Sequence, residues 1–114
     1  MEDCIFCKIV AGEVPSDIVY QDNELMAFPD INPLAPIHLL IVPRRHITLL
    51  SELTDADSGM AGRMTLVANR LACEKGISEA GYRVVINCGE QGGQGVAHLH
   101  MHLLGGRQLS SALG

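Results

Sequence analysis

The run His98-Leu99-His100-Met101-His102-Leu103-Leu104 holds three of the five histidines in the chain, at strict two-residue spacing with an apolar residue between each pair. Alternation of period two marks a β-strand with one buried face. Read so, Leu99, Met101 and Leu103 point into a core, and His98, His100 and His102 line the opposite face as a row of imidazoles. Same-face residues on a strand are roughly 6.5–7 Å apart, which puts the outer two about 13 Å from each other. All three therefore do not share one ion at metal–nitrogen distances of about 2 Å, and each has its own task. A merely solvated strand face gives no reason to place so scarce a residue three times, and an affinity tag would be contiguous and terminal.

The rest of the chain bounds what the row can serve. Its 114 residues make one domain, 1–114. At 47 % hydrophobic residues the chain buries a core, though a small one, so association with a second copy would help it. A net charge of −5 without a basic run excludes nucleic acid as the main partner, since phosphate neutralisation needs a Lys/Arg patch. Met1-Glu2-Asp3-Cys4 has neither a basic segment nor a long apolar one and predicts no leader peptide. Leu39 to Val42 is far too short to span a bilayer. Four cysteines in such a chain read as reduced thiols or metal ligands rather than a disulfide framework, which makes the cytoplasm the expected location.

Working outward, Cys4 to Val10 reads as a short helix or turn that ends at Gly12. Ile18–Gln21 and Leu25–Phe28 read as a hairpin around the turn-prone Asp22-Asn23-Glu24. Ile37 to Val42, apolar except at His38, fits a central strand covered on both faces, ended by Pro43. Thr54-Asp55-Ala56-Asp57 resembles a capping box opening a long helix, with Met60, Met64, Val67 and Leu71 at helical spacing and Gly76 at the C-terminal cap. Gly59 and Gly62 inside that helix cost roughly 1 kcal/mol each against alanine; close approach of another backbone would account for them. Cys73 reads as buried in it. Tyr82–Asn87 is the next strand, followed by a glycine-rich loop to Gly95 and the histidine strand. The sum is an α+β domain with a five-stranded antiparallel sheet, one long helix and a short N-terminal helix.

A histidine row beside Gly92-Gly93-Gln94-Gly95 points to phosphate chemistry. Such a loop can turn backbone N–H groups onto an anion. Neutral imidazole is a good nucleophile toward phosphorus, and a second imidazole can protonate the leaving group. The middle histidine, flanked by two helpers, is the natural nucleophile. Asn87 and Gln94 are amides able to donate to phosphoryl oxygens. No acidic cluster near the row suggests a bound magnesium ion, so no metal is expected to be required for catalysis. Cys4-x-x-Cys7 is half of a zinc site, a redox pair, or two unliganded thiols, and spacing alone leaves these open. Cys88 belongs either to the core or to the surroundings of the site.

The histidine run resembles the signature of the histidine-triad (HIT) family of nucleotide hydrolases and transferases. Ile5-Phe6, Ala27-Phe28, Asp30-Ile31, Pro36-Ile37-His38, Pro43-Arg44-Arg45-His46, Gly81-Tyr82-Arg83, Gly92-Gly93-Gln94 and Leu104-Gly105-Gly106-Arg107 resemble its Hint branch in order and spacing over nearly the whole chain. The resemblance implies a homodimer whose two sheets join into one of ten strands. It implies hydrolysis of purine nucleoside phosphoramidates, such as adenosine 5′-monophosphoramidate, at the P–N bond. His100 would be the nucleophile that forms a nucleotidyl-histidine, His102 would contact the leaving group, His98 would orient the site and His38 would be its fourth histidine. Asp30 would accept from the ribose hydroxyls. Ile5, Phe6, Ile9, Phe28 and Ile31 would wall the base pocket, and Asn87 and Gln94 would hold the phosphate. Relatives with the cysteine pair bind structural zinc, here through Cys4, Cys7, His46 and His98. Two departures stand out. Gly95 occupies a position that is often Ser or Thr in the family, and the chain carries no tryptophan in its C-terminal tail. Dinucleoside polyphosphate hydrolysis is an alternative that the loop and Leu104-Gly105-Gly106-Arg107 disfavour; a nucleotide-binding scaffold dimer is another.

Overall fold

The computed structural model describes residues 3–114; Met1 and Glu2, where the reading of a missing leader begins, lie outside them. The order is α1 (Ile5–Val10), β1 (Tyr20–Gln21), β2 (Leu25–Pro29), β3 (Ile37–Pro43), two short 3-10 turns (Leu50–Glu52 and Asp55–Asp57), α2 (Ser58–Glu74), β4 (Tyr82–Val85) and β5 (Met101–Gly105). The five strands form one sheet in the order β1-β2-β3-β5-β4, with every neighbouring pair antiparallel. The fold class expected from the sequence is the one observed.

The hairpin turns where Asp22 takes over backbone donors. Its carboxylate accepts from the N–H groups of Glu24 and Leu25, each at 2.8 Å, a local Asx turn. β3 lies at the sheet's centre and is buried along nearly its whole length. Alternation then sorts side chains to two faces. Leu25, Ala27, Leu39, Ile41, Leu99, Met101 and Leu103 share one core with Met60, Met64, Val67, Ala68, Leu71 and Ala72 of α2. Met26, Phe28, Leu40 and Val42 face the other way and pack with Phe6 of α1. The two helices thus cover opposite faces, and the histidine row looks toward α1.

Several boundaries differ from the sequence reading, each for a local reason. β5 begins at Met101 because its last pairing with β3 is Ile41↔Met101. Two residues further on, β3 ends in Pro43, which has no N–H to give, and Leu99 N–H instead donates to Ile47 O at 2.6 Å. The Thr54 capping box exists, but it closes the 3-10 turn Asp55–Asp57, so α2 starts at Ser58. Cys73 is exposed rather than buried; it follows the inward Leu71 and Ala72 and turns off their face. No backbone approaches Gly59 or Gly62: a Cβ at either would meet nothing within 4 Å. Gly76 does cap α2, in the left-handed region at φ +74°. Among the described residues no helix is long and apolar enough to cross a membrane.

Candidate active site

Register decides which imidazoles meet. Leu40 pairs with His102 and His38 with Leu104, so His38 and His102 are diagonal neighbours on the α1 face. His38 is 4 % exposed, and His98 and His100 are 0 % and 5 % exposed. His102 is half-buried. A buried imidazole needs partners for both nitrogens, and those partners fix where each proton sits.

His38 Nδ1 accepts from the Leu34 N–H at 3.0 Å, so its own proton lies on Nε2. That nitrogen is 2.9 Å from His102 Nδ1 and 3.4 Å from Asp30 Oδ2. Ring centroids 5.2 Å apart across the 2.9 Å nitrogen contact mean the rings meet end to end, with His38 donating. His102 Nδ1 is therefore an acceptor, and the proton of His102 is on Nε2. Next along the row, His100 Nδ1 sits 2.7 Å from the His98 carbonyl, which can only accept. The nitrogen left bare on His100 is Nε2. Its ring lies 4.9 Å from that of His102. A free lone pair beside an N–H donor is the pairing that displacement at phosphorus requires.

Protonation states agree with this arrangement. Burial, reinforced by the neighbouring His100 and His38, pushes His102 down to about 4 against the pull of Asp30. Burial likewise lowers His38, again opposed by Asp30. Both rings are neutral at pH 7 and able to accept and donate at once.

His98 faces a different chemistry. Its Nε2 donates to Pro43 O at 2.9 Å, which turns the Nδ1 lone pair toward two sulfurs, Cys4 Sγ at 3.3 Å and Cys7 Sγ at 3.6 Å. His46 Nδ1 is 3.1 Å from Cys7 Sγ. Ligand atoms of Cys4, Cys7, His46 and His98 all lie within 4.8 Å of one another, so this cluster could hold a metal. The fit to a tetrahedral ion is good, because zinc–sulfur and zinc–nitrogen bonds of about 2.3 and 2.0 Å imply sulfur–nitrogen edges of roughly 3.5 Å. Burial and the adjacent Cys4 thiol also hold the Cys7 thiol above its ordinary pKa; a cation would offset the repulsion between two thiolates. Asp30, His38 and His102 form a second group of potential ligands within 4.8 Å, but there the two ring nitrogens share a proton end to end.

The sequence-predicted residues are brought together unevenly. Phe6 and Phe28 are buried with their centroids 5.5 Å apart, and the Phe6 ring stands edge-on to His98 and His100 at 5.8 and 5.2 Å. Ile9 packs against the same cluster. Ile5 is 42 % and Ile31 90 % exposed, so Ile31 stands in solvent beside Asp30. Asn87 uses one N–H on Gly92 O at 2.7 Å. The Gln94 amide is taken up inside the loop: Nε2 donates to Thr48 O and Val96 O, and Oε1 accepts from Gly89 N. Gly92 is obligatory there, since a Cβ would run into the Cys88 carbonyl. Cys88 is half-buried in this loop, 3.7 Å from Ser51 Oγ. A cleft of about 460 Å³ is lined by Cys4, Ile5, His46, Thr48 and the Gly95-Val96-Ala97 segment. The groups that set the tautomers, Leu34 N–H and the carbonyls of Pro43 and His98, are main-chain atoms and leave no residue-type signal.

Comparison with known proteins follows the same lines. The HIT domain model matches residues 11–109. The purine nucleoside phosphoramidase of Escherichia coli is 48 % identical over 112 residues, covering 98 % of this chain and 94 % of that protein. An uncharacterised HIT-like protein of Synechococcus elongatus is 48 % identical over 109 residues, 96 % of this chain and 95 % of its own length. Among solved structures, a HIT family hydrolase from Legionella pneumophila superposes with TM-score 0.95 at 46 % identity, covering 98 % of this chain and 100 % of that one. A histidine triad protein from Clostridium difficile gives 0.94 at 46 % identity, covering 98 % and 97 %. This chain belongs to the HIT family and is a hydrolase of that family.

Proposed function

We propose that the protein hydrolyses purine nucleoside 5′-phosphoramidates, of the adenosine 5′-monophosphoramidate type, through a nucleotidyl-His100 intermediate. The observation that carries this reading is the His100 Nδ1 bond to the His98 carbonyl at 2.7 Å, which leaves Nε2 as an unblocked lone pair. That nitrogen attacks phosphorus, and the P–N bond opposite it breaks. The departing amine takes up a proton delivered through His102, whose Nε2–H faces away from His38. Water then cleaves the phosphorus–imidazole bond, releasing the nucleoside monophosphate and returning one proton by the same path. A neutral His102 responds to an anionic phosphoryl group, because a nearby negative charge favours the protonated imidazole.

Around this chemistry, Phe6, Phe28, Ile5 and Ile9 form an apolar wall for the base. Asp30, with Oδ2 3.4 Å from His38 Nε2, accepts from the ribose hydroxyls. Asn87 retains one N–H for the phosphoryl group. Gln94 acts from behind by holding the loop, and Ile31 closes on the base from its exposed loop. Cys4, Cys7, His46 and His98 hold a structural zinc; four protein ligands fill its coordination sphere, and it supplies a cross-link rather than a site for substrate. The 48 % identity to a purine nucleoside phosphoramidase supports this substrate class. The enzyme acts in the cytoplasm as a homodimer.

Rapid quench of the enzyme with adenosine 5′-monophosphoramidate, followed by intact-protein mass spectrometry, tests the reading. The expected result is one added adenylyl group on the peptide that bears His100. His100→Ala should abolish turnover while retaining AMP. An adduct on lysine or serine overturns the assignment; tight AMP binding without turnover identifies a nucleotide-binding scaffold instead.

A further inference from the structure

The metal cluster and the nucleophile share a residue, and both touch α1. His98 presents its ring to Cys4 and Cys7 and its carbonyl to His100. Cys4 is the N-cap of α1, with its sulfur accepting from Cys7 N at 3.4 Å, and Cys7 lies in the first turn. Phe6 sits between the two cysteines in sequence and is edge-on to both His98 and His100.

Besides the sulfurs, α1 is held by Phe6, with Ile9 and Val10 packed against the same cluster. It is six residues long, and Phe6 is its only buried residue. A helix of that length is unstable alone and owes its existence to tertiary contacts. The contacts available at its N-terminal end are the sulfur–imidazole approaches of 3.1–3.6 Å, which are weak as hydrogen bonds. His46 and His98 come from the segments flanking the far ends of β3 and β5, so an ion held by all four residues ties α1 to the sheet beneath the histidine row.

We infer that metal occupancy at Cys4, Cys7, His46 and His98 sets the affinity of the site for the nucleoside, by fixing α1 and with it the Phe6 wall against His100. The inference rests on the reading of Phe6, Ile5 and Ile9 as the wall of the base pocket. Its physical content is a coupling free energy between two ligands, which is reciprocal by linkage: the ion tightens the nucleotide, and the nucleotide tightens the ion by the same factor. A purely structural cross-link remote from the pocket would stabilise the fold and leave both affinities independent.

The coupling is measured by calorimetric titration of AMP into zinc-loaded and chelator-stripped protein, with adenosine as a second ligand that cannot chelate the ion through phosphate. Stripping should weaken both ligands about tenfold. Where the stripped protein does not stay folded, the reciprocal measurement on loaded protein decides: saturating AMP should slow or suppress zinc transfer to a chromogenic chelator by a similar factor. Phe6→Leu should retain the ion and lose most of the coupling. Equal AMP affinity with and without zinc, or zinc transfer indifferent to AMP, overturns the inference while leaving the phosphoramidase reading intact. A protein that holds zinc but binds neither AMP nor adenosine in either form overturns the nucleotide reading and the coupling with it. Failure to retain a stoichiometric ion overturns the coupling alone.

Discussion

At the scale of single residues, the site is a set of imidazoles whose protons are placed by neighbours. His102 is held neutral by burial and by His38 and His100, at about 4 instead of 6.5. In the unfolded chain the same ring titrates near its ordinary value, so between these pH values the unfolded state binds more protons. Stability therefore rises with pH across that interval and is lost as pH falls from about 6.5 toward about 4. Urea midpoints for the parent and His102→Gln should differ most at pH 7 and converge near pH 4.5, the loss on acidification being smaller in the variant. Parallel pH curves would show that His102 titrates normally. Groups remote from the row titrate in both proteins and cancel in the difference. How much of this was legible in the sequence depends on the kind of atom. The three histidines and Cys4-x-x-Cys7 announce themselves by type and spacing, and the structure gathers them as two adjoining clusters. For Gln94 residue type says less: an amide beside glycines suggests a phosphate contact, and in the structure its Nε2 donates to the Thr48 and Val96 carbonyls. Which nitrogen of His100 is bare was invisible, because it depends on a backbone oxygen two residues back.

At the scale of elements, continuous apolar runs identified β2 and β3 and helical spacing identified the α2 core stripe, since burial dictates the pattern in each. The ends were less legible. Pairing stops where a partner strand stops, as at Pro43, and no local feature of Leu99 or His100 records that. α2 also carries an unexplained weakness. Gly59 and Gly62 are exposed, have ordinary helical backbone, and a Cβ on either meets nothing. Replacing glycine by alanine in an exposed helix interior restricts the unfolded chain and strengthens the helix by roughly 0.5–1 kcal/mol. Gly62→Ala should accordingly raise the urea midpoint with an unchanged m-value. A loss of stability instead would mean that another surface presses on this face in solution.

At the scale of the whole molecule, the sheet has two edges of unequal kind. β1 is two residues long and too short to template pairing. β4, Tyr82–Val85, is the other edge, four residues long, with Val84 41 % exposed. Such an edge invites another strand unless charge or proline blunts it. Arg83 supplies the one charge in the strand, and its guanidinium is drawn off to the Ser110 carbonyl. A second copy adding its own β4 there would extend five strands to ten and place the two α2 helices on one side of the joined sheet, since both copies present the same face under a two-fold axis normal to the sheet. Light scattering behind gel filtration should thus give about twice the 12.3 kDa chain mass. Val84→Lys, which puts two like charges across the new seam, should shift the protein toward monomer; binding of AMP should survive if each site is complete within one chain. A parent protein that runs as a monomer at micromolar concentration, or a Val84→Lys variant that remains fully dimeric, would place the contact elsewhere than the β4 edge.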